Sequence, residues 1–192
     1  MRSAPFEDRQ NLKARKFLMW LFIISSFMMF AALTSGYIVY TAGNAARGLK
    51  IILPKAFQLS TIIIIASSVT MFLATKAAKK LDHSKQNIYL WLTILLGLGF
   101  FCSQFYCWSL LFNMGVPFAF NQNASQSFIY VFTGIHLAHI LLGVGFVAYS
   151  LRINRKNISQ AHNLYRLEIS SLFWHFIDIL WIYLYVFLLL NQ

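Results

Sequence analysis

The chain of 192 residues is 59% hydrophobic and 17% aromatic, and only 11% of its residues are charged. A soluble protein of this length has too much surface for its volume to hide so many apolar side chains, whereas a helical membrane protein turns them towards lipid. The net charge of +11 does not indicate nucleic-acid binding, because the basic residues form short clusters between long uncharged runs rather than one basic face with interleaved aromatic residues.

The first segment, residues 1–16, is polar and carries Glu7 and Asp8 among basic residues. It lacks the apolar run and cleavage site of a signal peptide and does not have the composition of a transit peptide. We therefore predict a cytoplasmic tail here. Between Lys16 and Arg47 there is no charged residue, and this run holds a first predicted membrane-spanning helix at about 17–40.

Charged and loop-forming residues divide the rest of the chain into four more apolar segments. The uncharged stretch from Gln86 to Leu151 is too long for one crossing, and "NMGVPFAFNQNASQS" at 113–127 interrupts it with loop-forming residues. The remaining predicted spans are 56–75, 87–112, 128–150 and 169–190. The sequence thus predicts an all-α membrane protein in which residues 17–192 form one five-helix domain.

The distribution of basic residues predicts the orientation of these spans. Thirteen of the sixteen Lys and Arg residues lie in the N-terminal tail and in the segments that follow spans two and four. The other three, Arg47, Lys50 and Lys55, follow span one. Because loops rich in Lys and Arg remain in the cytoplasm, we expect a cytoplasmic N-terminus and a periplasmic C-terminus.

Ionisable residues inside the last two spans are the candidate functional residues, since such groups are costly in a membrane. His136 and His139 share one face of span four, with Gly143 one turn further along. Span five carries one polar stripe, which consists of Glu168, Ser171, His175 and Asp178. Counting along both helices from the cytoplasmic edge puts His139 and Asp178 at a similar depth. We therefore expect the histidines of span four to pair with the stripe of span five.

Three uses of these residues are compatible with the pattern. A satisfied buried polar network would fix helix packing and register. A chain of such groups could instead carry protons, or the histidines could bind haem or a metal ion. His136 and His139 are poorly placed to sandwich a haem because they lie on the same helix, and apolar neighbours offer few further metal ligands.

Two motifs resemble subunit III of the haem-copper respiratory oxidases. "FTGIHLAHILLG" at 132–143 is similar to the TGxHxxH motif of that family, and "EISSLFWHFIDILWIYLYVF" at 168–187 is similar to its last helix, where a Glu precedes WHFxDxxW. The matching residues are Thr133, Gly134, His136, His139, Glu168, Trp174, His175, Phe176, Asp178 and Trp181. The five-helix count resembles the short bacterial form of the family.

Two further stretches extend the resemblance and also depart from it. "MWLFIISSFMMF" at 19–30 resembles the family's MWLFLxSExxFF segment, and "GFFCSQFYCW" at 99–108 resembles a helix with a QxxE pattern through Gln104. Ser26 stands where the first segment has a membrane glutamate, and Cys107 stands where the second has its glutamate. Roles assigned to those carboxylates in the family cannot be carried over to this chain.

The resemblance implies a non-catalytic accessory subunit of a proton-pumping terminal oxidase in the bacterial inner membrane. Its partners would be the catalytic haem-copper subunit I, other oxidase subunits and membrane lipids. Haem and copper would be bound by partner subunits and not by this chain, which would bind phospholipid and support proton uptake and complex stability. The electron donor, cytochrome c or quinol, is not encoded here.

The residues singled out then fall into two sets. The predicted structural polar network consists of His136, His139, Glu168, His175 and Asp178. Helix packing is assigned to Thr133, Gly134, Gly143, Trp174, Trp181 and Gln104. Two alternatives stay open: a subunit III-like protein associated with nitric oxide reductase, and a stand-alone membrane protein that carries haem or protons.

Overall fold

The computed structural model describes residues 5–43, 48, 53–118, 124–154 and 160–192 and folds them into five α-helices. The helices are α1 (Pro5–Ala42), α2 (Ala56–Lys79), α3 (His83–Asn113), α4 (Ala124–Asn154) and α5 (Gln160–Leu190). The described ranges contain no strand. Each helix includes a stretch that is long and apolar enough to cross a membrane. The prediction of an all-α protein with five spans is therefore confirmed.

The helices extend beyond the apolar segments that the sequence predicts. α1 begins at Pro5, inside the predicted tail, and α5 begins at Gln160, well before the predicted span at 169. Hydropathy marks the part of a helix that meets lipid, whereas the helix itself continues until a breaker stops it. Residues 1–4 of the predicted tail and 119–123 of the predicted loop lie outside the described residues.

Side-chain contacts between helices define the topology of a four-helix ring. Along the α2–α3 pair, the hydroxyl oxygens of Ser60 and Ser103 are 2.8 Å apart, and those of Thr70 and Thr93 repeat this contact at 2.8 Å. The partner numbers run in opposite directions, so the two helices are antiparallel. α3 contacts α4, α4 contacts α5, and α5 contacts α2, which closes the ring.

α1 lies outside this ring, against α4 and α5. It runs parallel to α5, since Lys16 lies near Glu168 at one end of the pair and Thr34 contacts Tyr183 further along. The Thr34 and Tyr183 hydroxyl oxygens are 2.8 Å apart. The start of α1 and the start of α5 are therefore at the same end of the bundle.

Small residues and hydroxyl groups share the helix interfaces with large apolar side chains, and further large apolar side chains face outwards. Lipid tails are as apolar as Leu, so helices in a membrane associate through close packing and interhelical hydrogen bonds rather than through a hydrophobic driving force. In α2 the buried face includes Ser60, Ser67 and Ala74, whereas Leu59 and Phe72 on the same helix are exposed. The apolar outer surface differs from that of a soluble bundle and fits lipid as the outer solvent.

A tight turn joins α2 and α3 at the end of the bundle where α5 begins. Leu81 adopts a positive φ of 62°, and Asp82 caps α3 by accepting a hydrogen bond from the Lys85 backbone N–H at 3.0 Å. That bond holds the pKa of Asp82 below its usual value. Because the folded-state pKa is lowered, the stabilisation by this cap is present above the unfolded-state pKa and is lost as pH falls through the folded one.

Trp174 of α5 fits between two glycines of the neighbouring helices. A Cβ atom at Gly97 of α3 would lie 2.7 Å from Trp174 Cη2. A Cβ atom at Gly143 of α4 would lie 2.9 Å from Ile177 Cδ1 and 3.1 Å from Trp174 Cε3. Both glycines are therefore required by the close approach of this indole, which is fully buried.

Replacing either glycine with alanine tests this fit. The added methyl group overlaps the rigid indole or Ile177, and overpacking of this kind costs about 1–3 kcal/mol. We expect Gly97→Ala and Gly143→Ala each to lower the free energy of unfolding of the detergent-solubilised chain by roughly that amount. Far-UV circular dichroism during a denaturant titration measures the change.

The matched controls are Gly99→Ala and Gly145→Ala, one turn or less away on the same helices. A Cβ atom at either position meets nothing within 4 Å, and alanine has a higher helix propensity than glycine. The controls should keep or slightly raise stability. Equal losses in the controls and the test variants would contradict the close approach of Trp174.

Candidate functional site

Trp174 and Trp181 of the WHFxDxxW segment connect α5 to α2 by hydrogen bonds. The Trp174 indole N–H donates to Ser67 Oγ at 3.1 Å, and the Trp181 indole N–H donates to Thr61 Oγ1 at 3.0 Å. Both tryptophan side chains are fully buried. A buried indole N–H usually needs an acceptor, so these two bonds fix the rotation of α5 against α2.

Trp181 also contacts aromatic rings of the other helices in the ring. Its centroid lies 4.8 Å from that of Phe100 in α3, 5.1 Å from that of His136 in α4, and 6.3 Å from that of Phe57 in α2. The Phe100 contact is edge-on and the Phe57 contact is stacked. These are favourable geometries for aromatic pairs, and Trp181 thus joins all four helices of the ring at one level.

His175 and Asp178 are neighbours on α5, with His175 partly exposed and Asp178 buried. His175 Nδ1 is 2.7 Å from Ser68 Oγ of α2 and 4.0 Å from Asp178 Oδ2. Neither oxygen of the Asp178 carboxyl has a partner at hydrogen-bonding distance. Asp178 is only 3% exposed, so its environment provides little solvation for a charge.

His139 faces α1, where it contacts Ser26. Its Nε2 is 3.3 Å from Ser26 Oγ, and its Nδ1 is 2.9 Å from the carbonyl oxygen of Ile135. Both ring nitrogens therefore have a partner. The serine keeps a polar contact with this histidine without placing a carboxylate in the membrane.

His136 is enclosed by aromatic rings and by the α3–α4 interface. Its ring lies edge-on to Phe30 at 6.4 Å and to Phe100 at 5.8 Å. Neither ring nitrogen has a hydrogen-bond partner, and the same is true of both amide atoms of the buried Gln104. The antiparallel register of α3 and α4 brings Gln104 level with His136.

The prediction that the α4 histidines pair with His175 and Asp178 is wrong: no hydrogen bond or ion pair joins the two sets in the part of the chain that the structure describes. Trp174 and Ile177 occupy the side of α5 that faces α4. The polar stripe is therefore turned towards α2 and α1. Equal depth along two helices does not determine which way their side chains rotate.

Glu168 is also separate from the other members of the predicted network. Its Oε2 lies 4.0 Å from Lys16 Nζ of α1, and both side chains are about half exposed, at 47% and 51%. Exposed ion pairs contribute little to stability. The five network residues thus form three groups: Glu168 with Lys16, His175 with Asp178, and the two α4 histidines.

Thr133 and Gly134 of the TGxHxxH segment serve the contact between α3 and α4. The Trp108 indole N–H donates to Thr133 Oγ1 at 3.0 Å, and the Trp108 ring lies 3.9 Å from a Cβ built at Gly134. Cys107 is buried with its Sγ 3.8 Å from Ser60 Oγ. Ser26 and Cys107 are therefore both uncharged side chains with polar neighbours.

The sequence interpretation missed the acceptors on α2. Three hydroxyl groups of α2 are the hydrogen-bond partners of Trp181, Trp174 and His175 on α5. They belong to Thr61, Ser67 and Ser68, which all lie in the apolar run "TIIIIASSVT". Hydroxyl residues spaced along one face of an otherwise apolar helix were the available signal. No set of three His, Cys, Asp or Glu side chains within the described ranges lies close enough to hold a metal ion.

Comparison with known proteins identifies one family and several relatives that match most of the chain. Residues 8–191 match the family model described as cytochrome c oxidase subunit III. Cytochrome c oxidase subunit 3 of Bacillus sp. strain PS3 is 28% identical over 95% of this chain and 89% of its own length. The same subunit of Alkalihalophilus pseudofirmus is 27% identical over 93% of this chain and 88% of its own length. That of Corynebacterium diphtheriae is 32% identical over 86% of this chain and 82% of its own length.

Removing the acceptor of Trp181 tests the bond between α5 and α2. Thr61→Val keeps the shape of the side chain but leaves the buried indole N–H without a partner, at a cost of about 0.5–2 kcal/mol in unfolding free energy. Thr61→Ser keeps the hydroxyl group and should retain most of the stability. A denaturant titration of both variants measures the difference, and a Thr61→Ser variant as unstable as Thr61→Val would argue against the hydrogen bond.

Proposed function

The chain belongs to the cytochrome c oxidase subunit III family, and we propose that it is the accessory subunit III of a proton-pumping terminal oxidase that reduces oxygen to water. In this role it packs beside the catalytic haem-copper subunit I and performs no redox step itself. The match to the family along residues 8–191 is the observation that carries this proposal. The family consists of subunits of an oxidoreductase complex in the respiratory chain.

The use of the motif residues supports a structural role for this chain. Trp174 and Trp181 are buried in contacts with α2, α3 and α4, and Thr133 accepts a hydrogen bond across the α3–α4 interface. Side chains committed to helix contacts in this way position the helices of the ring. A rigid bundle is suited to act as a scaffold beside a catalytic subunit.

We assign haem and copper to the partner subunits. A haem iron needs an imidazole nitrogen that the cofactor can approach, whereas the His136 ring is packed among Phe30, Phe100 and Trp181. Both nitrogens of His139 are within hydrogen-bonding distance of other groups. The two α4 histidines therefore do not fit a haem or a copper ion.

We place the chain in the inner membrane of a bacterium, with its N-terminus in the cytoplasm. It resembles bacterial relatives over most of its length, and its five apolar helices indicate a multi-pass membrane protein. Basic residues near the start of α1 and around the α2–α3 turn support this orientation by the positive-inside rule. Arg2, Arg47, Lys50, Arg155 and Lys156, which also entered the sequence argument, lie outside the described residues.

Phospholipid binding is part of this proposal, and we assign it to a groove between α1 and α4. This groove of about 370 Å³ has an apolar floor that includes Phe22, Leu142 and Phe146, with Arg15 at one end. This combination suits an acyl chain with an anionic headgroup. We propose that the bundle and its bound lipid support proton uptake by the complex and its stability.

Purification of the tagged chain from its host membranes in mild detergent tests the subunit assignment. A haem-copper catalytic subunit should co-purify, with its haem bands in the visible spectrum. After dissociation in a stronger detergent, the chain alone should carry no haem. A stoichiometric Soret band on the isolated chain would contradict the accessory role, and recovery of a nitric oxide reductase instead would support that alternative.

A strain lacking this chain tests the proposed support of turnover. The oxidase from that strain should lose activity faster during continuous oxygen consumption than the enzyme from a strain complemented with the wild-type chain. The reason is that a catalytic subunit without its scaffold takes up protons less efficiently and is less stable. Oxygen-electrode traces measure the decay, and identical decay in the two strains would contradict this part of the proposal.

A further inference from the structure

A cavity of about 430 Å³ lies beside the polar stripe of α5, between α1, α2 and α5. Lys16 and Glu168 stand at its exposed rim, Ser171 and Thr75 contribute hydroxyl groups to its wall, and His175 lines it further along α5. Seven residues separate Glu168 from His175, which corresponds to about 10 Å along a helix. The cavity thus extends from one end of the bundle towards its buried part and has room for several water molecules.

His175 connects this cavity to a buried carboxyl group. Its Nδ1 lies 4.0 Å from Oδ2 of Asp178, and Asp178 is 3% exposed with no hydrogen-bond partner on either oxygen. An unpaired negative charge in such surroundings is costly. A proton is the smallest group that neutralises it, and the imidazole can accept or return that proton through one intervening water molecule or hydroxyl group.

We propose that His175 and Asp178 together bind one exchangeable proton, which enters and leaves through this cavity. With the proton bound, Asp178 is a carboxylic acid beside the neutral imidazole of His175, and the pair has no net charge. When the proton passes to water in the cavity, a carboxylate remains beside a neutral imidazole. Only O–H and N–H bonds form and break, so the exchange needs no oxidant or other reactant.

The groups around the pair favour proton exchange at one end of the bundle. Lys16 of α1 and Glu168 of α5 lie 4.0 Å apart at the cavity rim, so their opposite charges largely compensate each other. The neighbours from α2 are the uncharged hydroxyls of Ser68 and Thr75. The two α4 histidines lie against α1 and Trp181 and not against the pair. The inference follows from the cavity and the pair alone and does not depend on the oxidase assignment.

Infrared spectroscopy of the intact complex that contains this chain tests the bound proton. The difference between wild type and Asp178→Asn should contain the C=O stretching band of a protonated carboxylic acid at neutral pH, shifted on transfer from H2O to D2O. Asp178→Glu should retain an acid band at a changed frequency, which guards against structural damage in Asp178→Asn. Ionised carboxylate bands in place of the acid band would overturn the proposal.

Blocking the cavity tests the path of the proton. Thr75→Trp fills the cavity from α2, and Phe72→Trp is the matched control because Phe72 is on the same helix but is 59% exposed on the outer surface. The H/D shift of the acid band should become severalfold slower in Thr75→Trp and stay unchanged in Phe72→Trp. Equal exchange rates in wild type and both variants, or no exchange at all in the wild type, would overturn the proposed route.

Discussion

The insertion of the Trp174 indole between two glycine backbones is the interaction on which the rest of the bundle depends. Helices in a membrane gain no hydrophobic free energy by leaving lipid for each other, so close packing and hydrogen bonds must hold them together. One indole supplies both: it fills the space at Gly97 and Gly143 and donates its N–H to Ser67. A single side chain of α5 thereby fixes the positions of α2, α3 and α4.

This insertion also determines where the ionisable residues of α5 lie. When Trp174 and Ile177 face α4, His175 turns towards Ser68 of α2 and lines the cavity beside α1. Asp178 stays buried, with its Oδ2 4.0 Å from His175 Nδ1. The same packing that holds the ring together therefore keeps a histidine between the cavity and a buried carboxyl group.

The sequence predicts the five membrane-spanning helices and the stripe of ionisable residues on α5. It does not predict where the helices begin or how α5 is rotated about its axis. Uncharged runs predict five helices because charge is excluded from lipid. The helix starts at Pro5 and Gln160 could not be predicted in this way, because hydropathy does not mark them. Spacing places His175 and Asp178 on one stripe and at a defined depth. It does not give the rotation of the helix, which packing at Gly143 decides, and so the partners on α2 were missed.

A double-mutant cycle between Trp174→Phe and Gly97→Ala measures the central interaction most directly. The Cβ atom added at Gly97 meets Cη2 and Cζ2, at the far edge of the indole, which a phenylalanine ring does not reach. The account predicts that Gly97→Ala is destabilising with Trp174 present and nearly neutral with Phe at that position, a coupling of about 1–2 kcal/mol in unfolding free energy. Additive effects of the two substitutions would contradict it.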